Sequence, residues 1–311
     1  MGAGTALGVI DNPIQRERHT RHPMIVGSGI KGALRHACEA QLADAPNVAD
    51  EKAKLTLVFG PDTQQSHEHA GALSLGDAQI VAFPVRSLKQ TFVYATCPTA
   101  LARLERLVEV ACNGTPPGFP KRSVPQVGST EAAILDDELL ARESLVLEAF
   151  QFKKASSGDQ ELREFAKWLA DNALPARPPY FAEKLKKHLV LLHDDWFNHF
   201  VQHATIVEPH VRINDASGTA DDGGLFYTEN LPPESLLVSV VMASRSRKAP
   251  KTGEGGEGMA QAIEMSADDV LSYVLGRVDS KLLQLGGDAT TGRGQVIVRG
   301  FGWNGKERSN A

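Results

Sequence analysis

The sequence predicts an α+β fold, on three observations. Strand-like and helix-like patterns mix without regular β-α-β alternation, the clearest stretch runs β-β-α, and two extended segments flank a polar tip as in a long hairpin. Gly71 to Pro98 holds two strand-like runs, ALSLGDAQIVAFPV and QTFVYATCP, joined by Arg86-Ser87-Leu88-Lys89, and TALARLERLVEVACNG follows with helical spacing of its apolar residues. The Pro/Gly-rich GTPPGFPKRSVPQVG closes that stretch. From about 130 to 205 the signals are helical, interrupted by SSGDQ and LPARPPY, and the region reads as an insertion. Within it Asp136-Asp137-Glu138 reads as the acidic first turn of a helix, where negative charge meets the positive pole.

Ile206 to Asn214 and Gly224 to Leu231, around DASGTADDG, predict a projecting β-hairpin over about 206–231. The strand LLVSVVMAS, a flexible RKAPKTGEGGEG, a helix near Ser266 to Gly276, and the runs LLQLGG and QVIVRGFGW around a glycine loop complete the chain. Residues 1–311 read as one domain carrying both additions.

Composition narrows the function classes. With 311 residues, 42% hydrophobic and 23% charged, the chain can bury a large core, and no apolar run approaches the roughly 20 residues of a membrane helix. Cys38, Cys97 and Cys112 form no C-x-x-C pair and are odd in number, which argues against a disulfide framework or a cysteine zinc site. With no signal-peptide pattern, a reducing cytoplasm is expected. A net charge of −5 argues against nonspecific coating of nucleic acid and leaves room only for a localised basic track.

Such a track is visible near the start. Between Asn12 and Cys38, Arg16, Arg18, Arg21, Lys31 and Arg35 stand against Glu17 alone. Gly27 to Gly32, including Ser28, leads into the helix-forming ALRHACEAQLA, so free backbone N–H groups are expected beside the glycines, where phosphate is welcome. Lys31 and Arg35, four apart, share a face near that pole. GSGIKG also fits the dinucleotide fingerprint G-x-G-x-x-G. Asp50 and Glu51, at the ribose-acid spacing, sit in the polar DAPNVADEKAK, however, and a charged approach replaces the hydrophobic first strand. A Walker loop is excluded because Gly32, not Ser or Thr, follows Lys31.

Toward the other end, Gly286, Gly287, Thr290, Gly292 and Arg293 lie in a glycine loop that permits close backbone approach, with an arginine able to meet phosphate or stack on a base; a flexible hairpin loop is the plainer reading. Asp195, His199 and His203 recur every four residues on DDWFNHFVQHA, a metal-compatible spacing. The glutamate of H-E-x-x-H is missing, and Trp196, Phe197 and Phe200 explain the helix as a packing element. His67-Glu68-His69 reads as a solvated polar loop.

GVIDNPIQRERHT, GSGIKGALR, FPVRS, GGLFYTENLPPESLL and LQLGGDATTGRGQVIVR, in this order, closely resemble the repeated backbone subunit of type III-B (Cmr-type) CRISPR effector complexes, a RAMP-superfamily family. The resemblance spans almost the whole chain. It implies a modified RRM or ferredoxin-like core with a helical insertion and a thumb-like hairpin. The first strand of that core, and a histidine near the cleavage site, would precede the segment that opens here as GAGTALGVID, and both are missing from it. GSGIKG has a glycine where the family usually carries a second small polar residue.

Functionally, the resemblance implies copies lined up along a guide RNA, associated with other subunits of the effector, each cutting the paired target RNA where the thumb interrupts the duplex. It nominates Asp11 as the cutting residue and Glu229 as an assisting acid, and places Arg16, Arg18, Ser28, Lys31, Arg35, Arg86 and the glycine loop on the RNA. One carboxylate binds Mg²⁺ or Mn²⁺ weakly by itself, so the expected metal site at Asp11 is one assembled with RNA phosphate oxygens. The alternative is a purely structural guide-binding subunit that does not cut. No membrane partner is expected.

Overall fold

After a two-residue strand, β1 (Met24–Ile25), the Ala, Leu and Arg of the next segment form α1 (Gly27–Glu39), with Ile30, Leu34 and Cys38 buried at helical spacing. The computed structural model describes residues 2–3, 8–61, 69–120, 124–247 and 263–302. α2 (Val48–Phe59) starts where the Asn47 side chain accepts from the Asp50 N–H. The run expected as one strand after Gly71 divides at Gly76-Asp77 into β2 (Leu73–Leu75) and β3 (Ala78–Arg86). β4 (Phe92–Thr96) returns antiparallel to β3, and α3 (Pro98–Ala111) follows with Pro98 in its first turn, in the expected β-β-α order.

The region 130–205 differs from the all-helical reading. Its first part is β5 (Glu131–Ile134), β6 (Leu140–Ala141), β7 (Ser144–Leu147) and β8 (Phe150–Lys154), each at most five residues long, too short for alternation to stand out from a helical pattern. Asp136-Asp137-Glu138 heads a three-residue 3-10 turn, not a helix: the Asp136 carboxylate accepts the Glu138 N–H, and buried Leu139 delivers the chain straight into β6. The helices come later: α4 (Asp159–Ala173), α5 (Tyr180–His188) and, after β9 (Leu189–Leu192), α6 (Asp194–His203).

β10 (Ile206–Ile213) and β11 (Ala220–Asn230) then pair antiparallel, with Ile206 opposite Asn230 and Val211 opposite Leu225. LLVSVVMAS makes two strands with different partners, β12 (Leu236–Val238) on β3 and β13 (Val241–Ala243) on β2. From residue 248 to 258, RKAPKTGEGGEG lies outside the described residues. α7 (Ala267–Val278), closed by a Ser266/Asp269 capping box, precedes the antiparallel pair β14 (Leu282–Gln284) and β15 (Gln295–Ile297).

Contacts group the chain into two units. Met1–Ile25 with Ala78–Val238 holds a nine-stranded sheet in the order β1-β3-β4-β9-β5-β8-β7-β6, with β12 also on β3. β4–β9 and β5–β8 are parallel and the other pairs antiparallel, so the sheet is mixed and not doubly wound. All four residues of β9 are buried, and Val190 and Leu192 join Phe83, Val93, Phe152, Phe197 and Phe200 in the core. Val26–Asp77 with Ser239–Ala311 packs α1 on α2, α7, β2 and β14, and Arg277 on α7 pairs with Glu51 on α2 at 2.6 Å. None of the described helices is long and apolar enough to cross a membrane.

Candidate active site and nucleic-acid contacts

Asp11 is exposed on a segment that runs beside β11. Asn12 bridges Thr228 in parallel sense, donating its N–H to the Tyr227 carbonyl at 3.0 Å and accepting from the Glu229 N–H at 3.0 Å. One Asp11 carboxylate oxygen, Oδ2, accepts the Tyr227 N–H at 2.7 Å; the other meets no donor among the described residues. The carboxylate is therefore oriented by the hairpin strand while keeping one oxygen for a further partner.

Glu229, two residues along β11 from Tyr227, has the opposite environment. Its side chain is 4% exposed and fully engaged. Oε1 accepts from Arg16 Nη2 at 2.5 Å and the Thr205 hydroxyl at 2.8 Å, and Oε2 from the Ile14 N–H at 3.0 Å. Arg16 is 7% exposed and donates from its other terminal nitrogen to the carbonyls of Val201 and Arg21. Both residues carry charge into the interior, where each needs the other.

The cations beyond Arg16 are displayed differently. Glu17 is tied to Arg103 on α3 at 2.8 Å and accepts from the Thr20 hydroxyl; burial raises its pKa, but these two partners outweigh burial and hold it below the usual carboxylate range. The turn so anchored leaves Arg18 and Arg21 exposed. His22 closes it, buried edge-on against Phe197, and burial together with Arg103 pushes its pKa down to about 4. Arg86, 75% exposed, meets Glu148 at 3.0 Å in a surface pair that leaves it accessible.

In the second unit, the start of α1 is less open than its glycines suggest. The Gly27 N–H donates to the Asp77 carboxylate at 2.8 Å, so an internal anion already occupies part of the helix pole. Gly27 is required for packing: a Cβ there would lie 2.3 Å from the Leu75 carbonyl oxygen. Ser28 is exposed at this end. Lys31 donates to the Leu73 carbonyl at 2.9 Å, and burial together with Arg35 lowers its pKa; Arg35 holds Glu39 and the Gly60 carbonyl. The dinucleotide fingerprint has no βαβ context here, because β1 pairs antiparallel with β3.

The loop from Gly286 to Gly294 is a built turn. Gln284 Nε2 donates to the carbonyls of Gly286, Gly287 and Arg293, and residues Ala289–Thr291 form a 3-10 turn. A Cβ at Gly294 would lie 2.2 Å from the Leu285 carbonyl oxygen, whereas Gly287 has open space around it. Gly286, Gly287, Thr290 and Gly292 are exposed, and Arg293 is partly buried.

Other candidates fall to packing. Asp195 pairs with His193 at the start of α6, His199 packs its ring against Phe150 and Trp196, and no group of three metal-ligating side chains occurs among the described residues. His67 and Glu68 lie outside the described residues. Sequence reasoning missed the Tyr227 N–H, Thr205, Asp77 and Gln284. The first is a backbone group with no residue-type signal, and the others are single polar residues whose partners lie far along the chain or on main-chain atoms.

The chain belongs to the RAMP superfamily, whose family model matches residues 1–297. It is 35% identical over 303 residues to the CRISPR system Cmr endoribonuclease Cmr4 of Pyrococcus furiosus, covering 96% of this chain and 90% of that protein. The crystal structure of oligomeric Cmr4 from Pyrococcus furiosus matches with a TM-score of 0.65 at 27% identity, over 94% of this chain and 92% of that one. A cryo-EM structure of the type III-B Cmr-beta bound to cognate target RNA contains a chain of the same fold, with a TM-score of 0.64 at 18% identity over 96% and 92% of the two chains.

Proposed function

We propose that this chain is the repeated backbone subunit of an RNA-guided type III-B CRISPR effector, an endoribonuclease that binds guide RNA beside further copies of itself and other effector subunits and cuts complementary target RNA. The observation that carries the reading is the Asp11 carboxylate, exposed, aimed by the Tyr227 N–H and with its second oxygen unclaimed among the described residues, in a chain aligned over almost its whole length with a named endoribonuclease.

Asp11 and the β10–β11 hairpin share a strand contact, so a target nucleotide turned out by the hairpin is presented at a fixed position relative to the carboxylate. With its 2′-hydroxyl in line with the scissile phosphorus, the strand is cut as the 2′-oxygen loses its proton to solvent and bonds to phosphorus while the P–O5′ bond breaks. This leaves a 2′,3′-cyclic phosphate and a 5′-oxygen that takes a proton from water, and orientation lowers the barrier to that attack. A hard dication takes one or two protein carboxylates and completes its shell with water and phosphate oxygens, and Asp11 fits that demand with its second oxygen. Mg²⁺ or Mn²⁺ held there with the RNA would offset charge developing at the phosphate. Arg18, Ser28, Lys31, Arg35, Arg86 and the loop of Gly286, Gly287, Thr290, Gly292 and Arg293 are the proposed backbone contacts, and the cytoplasm is the proposed compartment.

The reconstituted complex should cleave labelled RNA complementary to its guide and spare an unrelated RNA. EDTA should stop cleavage and added Mg²⁺ or Mn²⁺ restore it. Cleavage that ignores the guide, or no cleavage by complexes that bind target, would contradict the assignment.

A further inference from the structure

Glu229 is chemically the obvious second acid for the reaction, but every feature of its surroundings opposes that role. A carboxylate that accepts three hydrogen bonds at 4% exposure, one of them charge-assisted from Arg16 at 2.5 Å, has both oxygens committed to its own chain and almost no contact with solvent. What it does have is reach. Through Ile14 and Arg16 it grips the segment carrying Asp11; through Thr205 it grips the chain entering β10; and Arg16 extends the grip to the Val201 carbonyl on α6.

The need for such a grip follows from how the strand faces alternate. The Asp11 segment is tied to β11 by two main-chain hydrogen bonds at Asn12, and Pro13 faces the other way, its carbonyl accepting the Ala3 N–H at 2.7 Å. The next donor, the Ile14 N–H, is taken by the Glu229 side chain in place of a main-chain acceptor. Two ladder bonds alone make a weak register, and a slip by one residue would turn the Asp11 side chain to the other face.

We infer that Arg16 and Glu229 are a positioning pair that holds the Asp11 carboxylate in register with the β10–β11 hairpin, and that neither touches RNA or the reacting atoms. This rests on the cleavage function proposed above. It removes Arg16 from the RNA track and Glu229 from the chemistry, and it makes the charge of the pair dispensable as long as the acceptor for Ile14 remains.

The test compares Glu229→Gln with the double variant Arg16→Met/Glu229→Gln in the reconstituted complex, reading target cleavage rate, target affinity and cut position. The single change leaves a buried guanidinium without its counter-charge and should slow cleavage at least about tenfold with target affinity unchanged. The double change removes both charges while the introduced amide oxygen still accepts from Ile14. It should cut faster than the single variant, within about tenfold of wild type and at the wild-type positions, a recovery that only coupled residues show.

A double variant as inactive as Asp11→Ala would overturn the inference, because a carboxylate used in the chemistry cannot be replaced by an amide. So would failure of the double variant to assemble on guide RNA, or a Glu229→Gln complex that cuts at the wild-type rate. Wild-type complexes that bind target and never cut would overturn the functional reading itself, a result distinct from active wild type beside an inactive double variant.

Discussion

The segment around Asp11 and the glycine-rich turns of the second unit carry similar sequence signals, basic residues beside turn formers, and both engage cations internally, but they differ in what they leave exposed. Around Asp11 the charges turn inward: Arg16 and Glu229 neutralise each other in the interior, and Glu17 anchors its turn to Arg103. What remains outside is a single oriented carboxylate with Arg18 and Arg21. In the second unit the glycines divide, Gly27 and Gly294 allowing backbone to pass within contact distance and Gly32 and Gly287 standing in open space. Residue type alone thus does not tell which cations the fold engages: Arg16 is buried against Glu229, Lys31 and Arg35 hold carbonyls of their own unit, and Arg18 and Arg21 stand exposed.

The contrast among glycines gives the largest expected effect. Gly27→Val places a branched side chain where a Cβ alone would lie 2.3 Å from a carbonyl oxygen, and should cost more than about 3 kcal/mol in denaturant unfolding. Gly32→Ala, in the same helix with nothing within 4 Å, should stabilise by up to about 1 kcal/mol. Equal effects of the two would break the distinction between packed and free glycines.

The buried histidine of the Asp11 region gives the next. His22, with a pKa near 4 in the folded protein against 6.5 for the free side chain, rejects a proton that the unfolded chain accepts. Its contribution is whole above pH 6.5, is lost as pH falls from 6.5 toward 4, and changes no further below that. His22→Phe, which keeps the edge contact with Phe197, should abolish an acid destabilisation of about 2 kcal/mol. Thermal melts at pH 7 and 4.5 that fall equally for both proteins would show that His22 does not sense this range.

Smaller still are the effects on RNA. Lys31→Glu should weaken guide binding about tenfold, whatever the guide sequence, and flatten the salt dependence; exposed Arg18→Ala should cost a few-fold and lower the log–log salt slope by about one. An unchanged affinity and slope for either would take that residue off the RNA track.

How far these regions were legible depended on the range of the interactions. The α+β class, the β3–β4–α3 order and the β10–β11 hairpin follow from alternation and helical spacing within a single segment, and the structure shows all three. The strands β5 to β8 escaped because two to five residues carry too little pattern, and the breaks at Gly76 and between β12 and β13 because strand partners are chosen in three dimensions. Asp11 stood out only through the family resemblance of GVIDNPIQRERHT, since Asp-Asn-Pro by itself reads as a turn. The Tyr227 N–H that orients it lies 216 residues away and carries no side-chain signature, and the burial of Arg16 depends on an acid 213 residues away.

Asp11 is proposed to serve cleavage of the target RNA and not its binding. The direct measurement is cleavage of labelled target RNA by complexes containing Asp11→Ala or Asp11→Asn, with guide and target affinities measured on the same preparations. Both variants should bind within about twofold of wild type and cut at least about 1,000-fold more slowly, because a neutral amide is a poor ligand for a hard dication and alanine is none. Cleavage by Asp11→Ala at the wild-type rate would contradict the account, and loss of RNA binding in both variants would show instead that Asp11 serves to hold the Asn12-Pro13 turn on β11.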